Sequence, residues 1–427
     1  MSTFVQQRRA LLRTAASLTA GLAAAAGGAR AAIPAADTAP VGNWQKLAAS
    51  YDVASDFVNL ENAYFGIMAR PVADDFKRNI DYLNRYNSHF LRREFDRDGI
   101  EAIRAQLAAH AGVATGELAI TRGATESLQN LICNYRLVKP GETVMYGNLD
   151  YDTMIDAMND LARRSGAGVA AVQVPEPGTR QNVIDAYEQA LRRHPRTRLL
   201  LLTHVSHRTG LVMPVAEIVR MAKARGVDVI VDVAQSWGQL DYRIPDLGAD
   251  FVGANLHKWV GAPLGLGFLY IREARLADIG VQAGATNFPA TDIRSRVHAG
   301  TVNMAAIMTI PAALKFHGQV PLAERAARLR GLRDEWVRQV IDVPGVQILT
   351  PEEPGMSGAV TSFRLRGRTG FEDNVALSRR LADDFGIFTV ARAGPVGGSC
   401  IRVTPSYFTR GADLSRLAAA IRQLAPA

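Results

Sequence analysis

From residue 117 to residue 272 the sequence alternates short apolar runs with longer stretches of helical period, and this alternation restricts the fold more than any other feature. The runs ELAIT (117–121), ETVMYG (142–147), RLLLLTHV (198–205), VDVIVDV (227–233) and GFLYIR (267–272) read as strands. Between them, residues 125–135, 151–164, 183–193 and 215–225 read as helices. Several runs are apolar throughout, as expected of strands whose two faces are both covered by helices. The pattern therefore predicts an α/β layer fold around a mostly parallel sheet. In such sheets ligands bind beyond the carboxyl ends of the strands, so candidate functional residues are sought just after them.

After residue 300 the pattern changes to long helices at 304–316 and 322–341, then strands, a helix at 371–385, further strands and a last helix from 412. This reads as a smaller α+β domain. With 427 residues, 48% apolar and 21% charged, the chain suffices for two domains. The expected division is a leader at 1–31, a linker and N-terminal segment at 32–57, a large domain at 58–300 and a small domain at 301–427.

The first 31 residues are set apart from the fold. Arg8 and Arg9 are followed by an Ala/Leu-rich stretch and then Ala29, Arg30 and Ala31, a small-x-small cleavage site. This order matches a twin-arginine export signal, which implies passage through the export machinery and a periplasmic destination. That route carries folded proteins and suits an enzyme that captures its cofactor before export. The segment holds four arginines and no acid, so without it the formal charge falls from +8 to +4. Such a mild excess gives no reason to expect a nucleic-acid partner. Downstream of residue 40 every apolar run is interrupted before bilayer-spanning length, so stable membrane insertion is not expected. No metal site is called for. The two cysteines, Cys133 and Cys400, lie far apart in sequence; Cys133 in LQNLICNY reads as a small buried hydrophobe.

VIVDVAQSWGQL ends a buried strand in Asp232, whose carboxylate needs a cationic or hydrogen-bonding partner. In NLHKWVGAPLG, Lys258 follows the apolar run FVGA. A lysine amine and a buried acid suit pyridoxal 5′-phosphate (PLP), whose aldehyde takes the amine and whose pyridinium takes the acid. Either residue alone reads equally as a surface lysine or a turn-capping acid. TRGATESLQN adds a strand end and a helix start near Ala124 and Thr125, where free N–H groups and a hydroxyl can cradle a phosphate or serve as an ordinary cap.

With RGATE, HVSHRTG, DVAQ, NLHKW and IRVTP in this order, residues 55–415 resemble the class V aminotransferase family of fold-type I PLP enzymes. This group includes the cysteine desulfurases and isopenicillin N epimerase. The resemblance implies that Lys258 is the Schiff-base lysine, Asp232 the partner of the ring nitrogen and Gln235 the partner of the phenolic oxygen. Ala124 and Thr125 match the phosphate loop, His257 a further phosphate contact and Tyr151 the ring that stacks on the cofactor. In HAGTVN, Gly300 and Thr301 match a pair that reaches the neighbouring subunit's phosphate, which implies a homodimer. Arg402 matches the arginine that grips a substrate carboxylate, with a structural ion pair as its other reading.

Three departures qualify the resemblance. The stretch 391–399 lacks the nucleophilic cysteine of desulfurases, and Cys400 falls within a strand, so desulfurase activity is disfavoured. Asn255 stands where desulfurases bind phosphate through a serine, and NLHKW followed by APxG has the form of the isopenicillin N epimerase-like branch. His207 replaces a common asparagine. The resemblance implies transfer of the cofactor from Lys258 to a substrate amine, then cleavage of Cα–H with Lys258 as proton carrier. The substrate is expected to be an amino acid or peptide-borne amino acid, and the reaction epimerase-like. The alternatives are transamination, or an oxidative or decarboxylative tailoring step on a peptide siderophore such as pyoverdine, as in exported relatives. A non-catalytic PLP-fold binding module is the remaining alternative, against which both Lys258 and Asp232 are retained.

Overall fold

The computed structural model describes residues 44–96 and 98–426. The expected leader, its arginine pair and the 36–42 linker lie outside the described residues. In chain order the strands are β1 (Val58–Asn59), β2 (Leu118–Thr121), β3 (Thr143–Gly147), β4 (Gly168–Val172), β5 (Thr197–Thr203), β6 (Asp228–Asp232), β7 (Phe251–Asn255) and β8 (Gly267–Ile271), followed by β9 (Val346–Ile348), β10 (Thr361–Leu365), β11 (Ile387–Phe388), β12 (Val390–Arg392) and β13 (Cys400–Val403).

Seven strands form one sheet in the order β2-β8-β7-β6-β5-β3-β4. All pairs are parallel except those of β8, which runs antiparallel to both β2 and β7. This is the fold-type I layer architecture expected from the sequence. Alternation along the strands sends neighbouring side chains to opposite faces. Leu200, Leu202, Val229 and Val231 enter one core, against helices Asp98–Ala111, Val215–Lys223 and Met304–His317. Leu199, Leu201, Ile230 and Phe251 enter the other, against helices Ala124–Cys133 and Asp152–Ser165. Both faces of the sheet are therefore buried, which explains why these runs carry no polar alternation.

The edge strand β4, GVAAV, was not among the expected strands. It pairs only with β3, leaves Val169 exposed and is rich in Gly and Ala, which have weak strand preference.

The smaller layer is an antiparallel sheet ordered β12-β13-β10-β9, packed on helices Leu322–Val337, Phe371–Phe385 and Gly411–Leu424 around Trp336, Phe363 and Leu417. Two segments cross the expected division at residue 300. Val58–Asn59 pairs in parallel with Ile387–Phe388, and Val58 and Leu60 join the small layer's core. Conversely, the helix Met304–His317 is apolar on nearly every side and fills the large core beside Arg70–Phe90. The first places residues 58–61 at the junction of the two layers, next to the site below.

Candidate active site

A cavity of about 730 Å³ opens at the carboxyl ends of β2, β3, β5, β6 and β7, roofed by the small layer. Its size is in the range of cofactor and substrate sites. Asp232, the last residue of β6, is almost fully buried and lines it; its Oδ1 accepts the Ala234 N–H at 2.8 Å. Burial raises the Asp232 pKa, while the Ala234 N–H and the Lys258 charge pull it back.

Lys258 lies in the loop after β7, and desolvation by the cavity walls lowers its pKa to about 8 against the pull of Asp232. The loop is pinned from outside: the Gly66 N–H donates to the His257 carbonyl at 2.9 Å, and a Cβ on Gly66 would stand 2.1 Å from the Lys258 carbonyl oxygen. Only glycine allows this approach.

The helix Ala124–Cys133 points its start into the same cavity. One expected contact changes here, since the Ala124 N–H is donated to Asn255 Oδ1 at 2.7 Å. The groups of this helix start that remain able to hold a phosphate are the Thr125 hydroxyl and the next first-turn N–H groups, which have no partner within the helix. Asn255 holds that helix start in place from the end of β7. His257 Nδ1 sits 2.8 Å from the Leu266 carbonyl, so this nitrogen carries the hydrogen and Nε2 is the one left. Burial lowers the His257 pKa to about 4, so its ring is neutral unless an anion stands beside it.

Gln235 is buried, donates through Nε2 to the Ala63 carbonyl at 2.8 Å and leaves its Oε1 without a partner. Tyr151, half-exposed at the start of helix Asp152–Ser165, packs edge-on against His207 with ring centres 5.3 Å apart. Both line the cavity. A half-buried amine, a buried acid and a helix start with free N–H groups beyond Ala124 within one cavity fit PLP.

Gly300 and Thr301 are not brought to this cavity. They are exposed in the loop before helix Met304–His317, where Asn303, not Thr301, caps the helix by accepting the Ala306 N–H. Arg402 does line the cavity, yet its fork is taken. Nε and Nη2 donate to the Glu61 carboxylate and Nη1 to the His207 carbonyl at 2.6 Å. The structural ion pair weighed for Arg402 is therefore present.

Three further charged groups carry no motif in the sequence. Asp150 is buried between β3 and β5, accepts the Gly147 and Thr203 N–H groups at 2.7 and 3.0 Å, and burial raises its pKa to about 7. Glu61 was hidden because its partner is 341 positions away. Arg392 had no motif around it. Cys400 is fully buried in β13, where burial raises the thiol pKa to about 11, and both Cys133 and Cys400 are free thiols. Among the described residues no helix is long and apolar enough to cross a membrane, and no group of three His, Cys, Asp or Glu side chains could hold a metal ion.

Comparison with known proteins agrees with this geometry. The isopenicillin N epimerase of Streptomyces clavuligerus is 28% identical over 401 residues, covering 90% of this chain and 99% of that protein. A cysteine desulfurase of Escherichia coli O6:K15:H31 is 29% identical over 251 residues, or 55% of this chain and 60% of that protein. Among solved structures, the cysteine desulfurase CsdA of Escherichia coli superposes with a TM-score of 0.77 at 21% identity, covering 90% of this chain and 98% of its own. The C-DES K223A mutant with glycine covalently linked to PLP gives 0.73 at 21% identity, covering 86% and 97%. The aminotransferase class-V family model matches residues 77–397. The chain therefore belongs to the class-V aminotransferase family and uses pyridoxal phosphate.

Proposed function

We propose that this protein is a PLP-dependent enzyme acting at Cα of an amino acid or peptide-borne amino acid, in the manner of the isopenicillin N epimerases. The observation that carries this reading is Lys258: a cavity-facing amine with its pKa lowered to about 8, held opposite Asp232. Near neutral pH a useful fraction of such an amine is unprotonated and can take up or return a proton.

Bound PLP supplies an electron sink for the charge left at Cα. The chain supplies the rest. Asp232, with Oδ1 fixed by the Ala234 N–H, would hold the ring nitrogen through its carboxylate. The Thr125 hydroxyl and the helix start would hold the phosphate, and Asn255 fixes that helix start. Tyr151 and His207, packed edge-on, form one wall of the cavity. Lys258 Nζ carries the proton to and from Cα.

The choice of an epimerase over a desulfurase is supported by the extent of the sequence match, 99% of the epimerase against 60% of the desulfurase, and by Cys400. The epimerase relative matches along nearly its whole length. Cys400 lies in a strand with its sulfur 3.7 Å from the Arg208 and Arg392 carbonyls, far from the mobile, ionised thiol that sulfur abstraction requires. Tat-dependent export rests on Arg8 and Arg9, and a homodimer on Gly300 and Thr301.

The deciding experiment incubates the purified holoenzyme in deuterium oxide with a panel of D- and L-amino acids and short peptides. Inversion with deuterium at Cα and no keto product is the expected result. Amine transfer to the cofactor would make it a transaminase, and sulfide release from cysteine that is lost in Cys400→Ser would make it a desulfurase.

A further inference from the structure

Four arginines converge where the small sheet meets the large layer. On β10 and β13, Ser362 pairs with Arg402, and on β12 and β13, Val390 pairs with Arg402 and Arg392 with Cys400. Cross-strand partners share a face, so Arg392 and Arg402 are diagonal neighbours on one face, with Arg364 beside them on β10. Arg208 reaches the same place from the loop after β5 and donates to the Ala393 carbonyl at 2.5 Å.

Three of the four have a dedicated carboxylate. Arg208 pairs with Asp152, Arg364 with Glu176 at 2.5 Å, and Arg402 with Glu61. Arg392 pairs with none among the described residues, and its Nε is buried without a hydrogen-bond partner. It lines the cavity that holds Lys258. Crowding is visible in its ionisation: burial, then Arg402, lower its pKa to about 10, with Glu61 the main opposing charge. Like charges on one sheet face are destabilising, and a buried unpaired donor is costly, unless an anion arrives to join them.

We propose that Arg392, and not Arg402, binds the carboxylate of the substrate. Arg402 is a positioning residue, held by Glu61 and holding the His207 carbonyl at the cavity wall. The guanidinium of Arg392 offers the planar fork that matches a carboxylate, and it lines the same cavity as Lys258. This inference rests on the reading of the substrate as an amino acid or peptide-borne amino acid. It differs from what the family motif implies, because the motif cannot register that Glu61 occupies the arginine it contains.

The test uses the holoenzyme and succinate, a carboxylate that has no amine and cannot react with the cofactor. Succinamide, uncharged and of the same length, is the control. Calorimetric titration should show succinate binding to the wild type and none for succinamide. Arg392→Gln should weaken succinate about ten- to a hundredfold without lowering the melting temperature, since the guanidinium has no carboxylate partner among the described residues and its Nε no hydrogen-bond partner. Arg392→Lys should fall between the two, retaining the charge without the fork. The Glu61→Gln/Arg402→Gln double variant, which removes both charges together, should bind succinate within threefold of wild type. If that double variant does not fold, Arg392→Gln decides alone. Succinate affinity unchanged in Arg392→Gln, no succinate binding to the wild type, or equal loss in the double variant would each overturn the proposal. Borohydride trapping of the cofactor on Lys258 is scored in every preparation. Lost trapping would strike at the PLP-enzyme reading itself, whereas intact trapping with unchanged succinate binding would count against Arg392 alone.

Discussion

Removing one side of the Glu61–Arg402 pair should be among the most damaging single changes available in this chain. The two side chains are 6% and 2% exposed, and two nitrogens of the fork meet the two carboxylate oxygens. A pair this buried contributes little compared with a well-packed apolar replacement, but breaking it leaves a charge without water or partner. That cost is about 3–5 kcal/mol. Glu61→Gln keeps the shape, loses the charge and strands Arg402 between the two layers. Arg402→Gln strands Glu61 and also removes the donor to the His207 carbonyl. The double variant strands neither charge, so its loss should be smaller than the sum of the singles by about 2 kcal/mol or more. Urea denaturation of the three variants beside wild type gives these values from midpoints at a common slope. Single losses below about 1 kcal/mol, or losses that simply add, would show that the pair is not what anchors Arg402. The reasoning that frees Arg392 for substrate would then fail.

Lys258→Ala should abolish the borohydride-trapped adduct, and mass spectrometry placing PLP on another lysine would contradict the site. The folded pKa of Lys258 is lowered from 10.5 to about 8, so the folded protein binds fewer protons than the unfolded chain between those values. Stability from this residue should therefore rise with pH across pH 8 to 10.5; the difference between cofactor-free wild type and Lys258→Met in urea melts at several pH values reads it, and a flat difference refutes the shift. Gly66→Ala would force a methyl group to within 2.1 Å of the Lys258 carbonyl, so PLP affinity should drop while far-UV circular dichroism stays native; unchanged affinity would show that the loop yields freely. Replacing Arg8 and Arg9 by Lys should retain the protein in the cytoplasm with PLP bound, and an unchanged periplasmic yield would remove the twin-arginine reading.

Much of the fold was legible because burial on both faces of a sheet leaves an unmistakable mark: RLLLLT and DVIVD have no polar alternation to misread. Asp232 and Lys258 were legible for a related reason, since each follows such a run and the chemistry of PLP requires one of each. The edge strand β4 was not, because a strand with one neighbour can be built from glycine and alanine. Sequence also located Arg402 beside the site, and could weigh a substrate grip against an ion pair. It could not decide between them. That depended on Glu61, drawn to the layer junction by the pairing of Val58–Asn59 with Ile387–Phe388, across more than three hundred residues. Local patterns report which face of an element is buried; they do not report which charge from elsewhere arrives against it. The strands, the lysine and its acid were therefore written in the order of residues, whereas the occupied fork of Arg402 and the unpaired fork of Arg392 exist only once the two layers close on each other.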